Sequence, residues 1–324
     1  MRIVVTGANG FIGRPLTASL AAHGHDGVAV GRRLIQGVPE RWTALPRADT
    51  LAAKEDQSRC AVIIYLEVKH HVGCPTAADR DGFTAVNVEG TKAWLDWADH
   101  HGVSRFILAS SVKAVHQSGG ICDENAALET ADAYGSSKAS AEEAVRSWAN
   151  ATRNRTATIL RFAPVYGPEN EANAASFARQ ILRVKPCLIG SGRARKSLLS
   201  LRNAVAAIEY AVARKETGCT VFNVSDVGSV SLKELACLDS TAARAPQPRH
   251  VPRLIGACVE KLGDAVELIT RREFPLNSRK LMTLTTDSIF PADKLLAAGF
   301  LPPQTTADGI LEMVQWLVGV NKPK

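Results

Sequence analysis

Arg2-Ile3-Val4-Val5-Thr6-Gly7-Ala8-Asn9-Gly10-Phe11-Ile12-Gly13 is the stretch that decides the fold. Its first five residues, rich in β-branched side chains, read as a short buried strand, and the apolar pattern from about Phe11 to His23 reads as a helix. Between strand and helix stand three glycines with distinct tasks. Gly7 permits a tight turn, Gly10 lets the backbone approach a pyrophosphate, and Gly13 lets the helix pack closely on the strand. Asn9, Phe11 and Ile12 complete the turn, which presents the unpaired amides of a helix N-terminus to phosphate. The run therefore predicts a dinucleotide cofactor, NAD or NADP.

Working outward, strands are expected near 27–31, 61–66, 104–110 and 156–162, with helices at 79–101 and 133–151. Strands alternating with helices of this length indicate right-handed βαβ units, hence an α/β fold with a doubly wound parallel sheet of Rossmann type. After about residue 165 the rhythm breaks. Helices near 174–184, 203–214 and 251–272 mix with short strands near 187–189, 197–201 and 220–224. A proline-rich loop spans 245–252, and an amphipathic helix closes the chain at 306–318. Residues 1–165 are thus expected to form the cofactor domain with the catalytic residues. Residues 166–324 are expected to form mainly a smaller mixed α/β substrate lobe, with some elements returning to the first domain.

An acid at the end of the second strand would bind the adenosine ribose; here the chain reads Gly31-Arg32-Arg33. Arginine in that place accommodates a 2′-phosphate, which tilts the choice toward NADP. Asp49 and Thr50 lie where a loop can reach the adenine.

Tyr134 and Lys138 stand four apart at the start of a predicted helix, so they share a face. An ammonium beside a phenol stabilises the phenolate and lowers its pKa from about 10. Such a tyrosine can exchange a proton with a carbinol oxygen while a hydride moves to or from a nicotinamide. Ser111 ends the preceding strand and can hydrogen-bond the same oxygen; Ser110 is the neighbouring candidate.

With Asn87-Val88-Glu89-Gly90-Thr91, Ala109-Ser110-Ser111-Val112-Lys113, Tyr134-Gly135-Ser136-Ser137-Lys138 and Arg161 through Pro168, the chain resembles an extended short-chain dehydrogenase/reductase of the NAD-dependent epimerase/dehydratase type over nearly its whole length. The resemblance implies a catalytic triad of Ser111, Tyr134 and Lys138. It places Asn87 on a helix lining the site, and Pro164 and Val165 beside the nicotinamide. It also implies a lobe that binds a nucleotide sugar, with Leu188 flanking the base and Arg195 or Lys196 pairing with the diphosphate. Val112 and Lys113 follow the serine where dehydratases of this type carry Asp-Glu, so a 4,6-dehydratase is not expected. The remaining chemistry is a UDP-sugar 4-epimerase or a 4-keto-sugar reductase, and Arg32-Arg33 favours an exchangeable NADPH and hence reduction. A second class, a catalytically idle redox-sensing regulator on the same fold, is opposed by retention of the trio.

The chain also departs from the family. Tyr65-Leu66-Glu67-Val68-Lys69 stands where His-Leu-Ala-Ala is usual. Leu66 keeps its place at the cofactor, whereas Glu67 either repels a pyrophosphate or pairs locally with Lys69. Arg202-Asn203 replaces a common Asp-Asn. Trp94, Trp97 and Trp148 supply either a homodimer interface, as helices at these positions do in the family, or simple core packing.

Composition limits the rest. Hydrophobic residues make up 46% of the 324, enough for a full core, and 39 basic against 32 acidic residues give a net charge of +7. The basic residues are scattered, which argues against a nucleic-acid partner. Seven cysteines, odd in number and widely spaced, read as free thiols in a reducing compartment rather than a disulfide framework. His70 and His71 lack a carboxylate at ligand spacing, so no metal is expected. No apolar run approaches the roughly 18 residues of a membrane span, and a cytoplasmic location is expected.

Overall fold

The computed structural model describes residues 1–47, 60–70, 75–116, 120–129, 132–170, 178–179, 187–214, 217–247, 249–251, 282 and 285–320. Asp49 and Thr50, and most of the helices expected at 174–184 and 251–272, lie outside the described residues.

The principal sheet has seven strands: β1 (Arg2–Thr6), β2 (Asp26–Gly31), β3 (Trp42–Pro46), β4 (Cys60–Tyr65), β5 (Arg105–Ser111), β6 (Thr156–Phe162) and β7 (Gly218–Val224). All neighbours pair in parallel, in the order β7-β6-β5-β4-β1-β2-β3. Strand order reverses between β1 and β4, which opens a crevice at their carboxyl ends.

One face of the sheet is covered by α1 (Gly13–Ala22) and α5 (Leu201–Ala213), whose Leu16, Leu20, Ala204 and Ile208 pack with Ile3 and Val5. The other is covered by α3 (Gly90–His100) and α4 (Ala133–Asn150), whose Trp94, Trp97, Val145 and Trp148 pack with Val4 and Phe106. The three tryptophans are therefore core residues, and they cannot supply the dimer face considered from the sequence. Trp148 satisfies its indole by donating to Asp99 Oδ1 at 2.7 Å.

Three further elements differ in detail from the sequence expectation. The strand Trp42–Pro46 was not foreseen. The short strand expected near 220–224 runs from Gly218 to Val224 and pairs with β6 along seven residues, so an element of the second half returns to the principal sheet. The single helix expected at 79–101 is broken into α2 (Ala77–Phe83), a π-helical turn (Thr84–Glu89) and α3. The cause is visible at Tyr65, whose hydroxyl donates to the Val86 carbonyl at 2.8 Å. A Cβ at position 90 would lie 2.6 Å from that hydroxyl, so only glycine admits it there. Turns of this kind recur at functional sites.

Outside the principal sheet, four two-residue strands form a small one in the order Val230–Ser231, Arg195–Lys196, Ser288–Ile289, Gly120–Ile121. It adjoins α6 (Leu232–Ala243) and α7 (Thr306–Val320). A buried carboxylate ties this half to the sheet. Asp226 accepts from Tyr166 Oη (2.8 Å), Ser200 N (2.9 Å), Asn203 Nδ2 (2.7 Å) and Thr306 Oγ1 (3.3 Å). Asn203, noted in the sequence, thus fastens the start of α5 to the turn before α7, while its neighbour Arg202 pairs with Glu312 at 2.9 Å.

Asp239 on α6 is less well served. It is 1% exposed, neither carboxylate oxygen has a hydrogen-bond partner among the described residues, and burial pushes it up to about 7. A raised carboxyl keeps its proton in the folded state at a pH where the unfolded chain has lost it. Its stabilising contribution is complete below the ordinary carboxylate range and is lost as pH rises toward 7. Asp239→Asn is expected to be more stable than wild type at pH 8, by up to about 4 kcal/mol, with the margin vanishing near pH 4. Urea unfolding at the two pH values checks this; a pH-independent margin would count against it.

Candidate functional site

The glycine turn takes the form the sequence requires. Gly7 adopts φ +63°, and a Cβ on Gly13 would lie 2.2 Å from the Gly7 carbonyl oxygen. Such an atom on Gly10 would lie 3.0 Å from the same oxygen, so side chains at 10 and 13 would crowd the turn. Ile12, at the N-cap of α1, supplies no side-chain cap; the Arg14 amide donates to the Gly10 carbonyl at 3.1 Å and Pro15 carries no amide hydrogen, so the turn closes tightly on the helix start. Asn9 and Gly10 are exposed, and Phe11 and Ile12 are half-buried. The opposite wall is the segment after β4, where the amides of Leu66 and Glu67 donate to Thr6 Oγ1 at 3.1 and 3.3 Å. This cradle fits the diphosphate of a dinucleotide.

Ser111, Tyr134 and Lys138 come together at the ends of β5 and α4. Asp132 caps α4 by accepting from the Tyr134 amide at 3.2 Å, which fixes where the tyrosine enters. Tyr134 hydrogen-bonds Ser111 through its hydroxyl and meets the Phe83 ring edge-on at 5.9 Å. The Lys138 side chain, 1% exposed, donates to the Ala109 carbonyl at 2.6 Å. Desolvation brings this lysine down to about 8, against the raising effect of Glu142. Tyr134 does not behave as expected from its spacing. Burial pushes the phenol up to about 12, with the Ser111 hydrogen bond acting in the opposite direction and Asp132 reinforcing burial. The Lys138 ammonium is turned onto the backbone of β5.

The two candidate serines separate cleanly. Successive strand residues face opposite sides. Ser110 Oγ donates to the buried Glu142 Oε1 at 2.6 Å, while Ser111 faces the tyrosine. Asn87, in the π-helical turn, accepts from the Lys69 amide at 2.9 Å and donates to Ser137 Oγ at 2.9 Å. It therefore joins the segment after β4 to α4. Ser137 was not singled out from the sequence; its place inside the Tyr134–Lys138 run was the available signal.

Other expected residues fall as follows. Leu66 packs half-buried against the α1 side of the core. Pro164 and Val165 follow β6, and Val165 pairs in parallel with Leu199. Arg32 and Arg33 are exposed after β2, and His70 sits within electrostatic reach of both Arg32 and Lys138, marking the line of the cleft. Val112 is buried, and Lys113 pairs with Asp132 at 3.3 Å.

The lobe residues have local partners. Leu188 is buried with Leu232 and Ala236. Arg195 binds Ser229 Oγ at 2.8 Å, and Lys196 binds the Thr286 carbonyl. Glu67 does not pair with Lys69: it lies 3.1 Å from Arg47 Nε, while Lys69 pairs with Asp79 at 3.0 Å. Among the described residues no group of three or more His, Cys, Asp or Glu is placed to hold a metal ion, and no helix is long and apolar enough to cross a membrane.

A family model described as the NAD dependent epimerase/dehydratase family matches residues 3–225. The chain belongs to that family. Relatives within it align over almost the entire length. The chain is 26% identical to the N-acetyl-alpha-D-glucosaminyl-diphospho-ditrans,octacis-undecaprenol 4-epimerase of Escherichia coli O157:H7, over 97% of this chain and 94% of that protein. It is 29% identical to the UDP-glucose 4-epimerase of Vibrio cholerae, over 98% and 96%. Among solved structures, UDP-glucuronic acid 4-epimerase from Bacillus cereus in complex with NAD superposes with a TM-score of 0.75 at 17% identity, covering 99% of this chain and 100% of the other. That likeness establishes the shared fold.

Proposed function

We propose that this chain is a nicotinamide-dependent enzyme that inverts the C4 carbinol of a sugar carried on a diphosphate, a UDP-sugar foremost. The observation that carries the reading is the Ser111–Tyr134 hydroxyl pair over the buried Lys138 ammonium, beside the glycine turn. Both relatives named above are 4-epimerases, and their substrates share a sugar joined to diphosphate. This favours epimerisation over the net reduction that Arg32-Arg33 suggested.

The candidate holders of the cofactor are Gly7, Asn9, Gly10, Phe11, Ile12 and Gly13 at the diphosphate, with Arg32, Arg33 and Leu66 at the adenosine half. Asn87, Tyr134, Lys138, Pro164 and Val165 serve the nicotinamide half. A bound nicotinamide would accept a hydride from the sugar carbon and return it. Ser111 and Tyr134 hold the carbinol oxygen between two hydroxyls. Tyr134 takes that oxygen's proton as the carbonyl forms and gives it back when the alcohol is restored. The Lys138 charge stabilises the phenolate once the ammonium turns from Ala109 toward the tyrosine side of the helix. The two positions that follow Ser111 in the chain hold no carboxylate to eliminate water: Val112 is buried and Lys113 is ion-paired.

The test is incubation of the purified protein with UDP-glucose, UDP-N-acetylglucosamine or UDP-glucuronic acid and catalytic NAD, followed by NMR of the sugar. Inversion at C4 without net cofactor consumption is expected. Stoichiometric NAD(P)H oxidation with a 4-keto sugar would replace epimerase by reductase, and inertness toward the whole panel would remove the reading.

A further inference from the structure

Lys113 has no task in the proposed reaction, yet it stands between the two reacting hydroxyls and the start of the helix that carries one of them. It lies in the short turn Val112–Ala114 that follows β5. Its amide donates to Ser111 Oγ at 3.2 Å, which fills one acceptor site of that hydroxyl and leaves its proton for the Tyr134 side. Its ammonium lies 3.3 Å from Asp132 Oδ2. The other oxygen of the same carboxylate, Oδ1, accepts from the Tyr134 amide at 3.2 Å. A ring of contacts therefore runs from Ser111 through Lys113 and Asp132 to Tyr134, and back to Ser111 across the hydroxyl pair.

The ring contains a charge that hinders a proton-exchanging tyrosine. Asparagine and serine cap a helix as well as aspartate does, so capping alone does not require a carboxylate here. The Asp132 charge opposes ionisation of the phenol, in the same sense as burial. The pair does little for stability, since the Lys113 and Asp132 side chains are 39% and 30% exposed. What it changes is the field at the tyrosine. An ammonium on the outer oxygen turns a full negative charge into a dipole, whose effect falls off faster with distance.

We propose that Lys113 is a positioning residue of the reaction: it neutralises the Asp132 cap, so that the carboxylate fixing where Tyr134 enters does not oppose the tyrosine's proton exchange with the sugar. The inference rests on the reading that Tyr134 is the acid–base group.

The remaining charged groups around Tyr134, among the described residues, have their own engagements. Lys138 is turned onto the Ala109 carbonyl, and Glu142, one helical turn further on, is held by Arg161. Lys69 pairs with Asp79 over the face of Phe83, whose ring meets Tyr134. His70 stands within electrostatic reach of Lys138.

The pH profile of kcat/KM, for the sugar nucleotide that wild type turns over, tests the proposal. Activity is expected to rise with pH as Tyr134 becomes able to take the carbinol proton. Lys113→Met should displace that rise toward alkaline pH by about 0.5 or more, so that activity on its acid side falls about threefold or more. Asp132→Asn keeps the cap and loses the charge, and should displace the rise toward acid pH. The double variant should return close to the wild-type profile, and Lys113→Arg, which retains the charge, should stay there. Urea midpoints of all four variants are expected near that of wild type. A purely structural role would lower kcat/KM at every pH and leave the position of the rise unmoved. That result, or a double variant displaced as far as Lys113→Met, overturns this inference and leaves the proposed function standing. A wild type inert toward every sugar nucleotide overturns it together with the reading on which it rests.

Discussion

Replacement of Tyr134 by phenylalanine is expected to lower turnover by about 10²-fold or more while leaving dinucleotide affinity intact. The variant removes one oxygen and keeps the ring. The edge-on contact with Phe83 at 5.9 Å survives, as does the Asp132 cap at the start of α4. What disappears is the proton-transferring hydroxyl and its hydrogen bond to Ser111. The loss should therefore appear in kcat rather than in the unfolding midpoint. Parallel measurement of kcat, dinucleotide dissociation constant and urea midpoint separates these effects. A variant with wild-type turnover would end the acid–base role assigned to Tyr134.

Glu142→Ala is expected to cost about 3–5 kcal/mol of folding stability. Glu142 is 0% exposed and meets Arg161, itself 1% exposed, through Nε at 3.0 and 3.1 Å and through Nη2 at 2.9 Å. It also accepts from Ser110 Oγ at 2.6 Å. Truncation leaves a guanidinium buried without its counter-charge, and charged groups in that state are the costly ones. Substituting both partners by apolar residues of similar volume, Glu142→Leu with Arg161→Met, should recover much of the loss. A double-mutant cycle in urea reads the coupling. A single-variant loss below about 1 kcal/mol would mean that water reaches the pair.

The legibility of this chain follows the range over which each feature is determined. The glycine turn was readable because each glycine answers a local demand: the positive φ at Gly7, and the 2.2 Å approach that a Cβ at position 13 would make. Tyr134 and Lys138 were readable because helix geometry alone puts them on one face. The tyrosine's acidity was not, since the lysine's hydrogen bond to Ala109 and the burial of the phenol are set by β5 and its packing.

The π-helical turn escaped notice because its cause, the Tyr65 hydroxyl, lies 21 residues from the carbonyl it captures. Arg47 could not be matched to Glu67 for the same reason: two strands lie between theirs in the sheet. The role of Gly218–Val224 as an edge strand of the principal sheet was hidden because its partner is the strand Thr156–Phe162, and nothing in its composition names that neighbour. The two-residue strands of the small sheet carry no periodic signal at all.

That small sheet has a mechanical consequence. Gly120–Ile121 belongs to the loop that follows Ser111, yet it is stitched through Ser288–Ile289 to Arg195–Lys196 and Val230–Ser231. The Cys122 amide adds another stitch by donating to the Ile289 carbonyl at 2.8 Å. Gly120–Ile121 and the basic strand of the second half thus belong to one hydrogen-bonded sheet. Arg195 and Lys196 are joined to Gly120 and Ile121 by this sheet and not by the seven-stranded one.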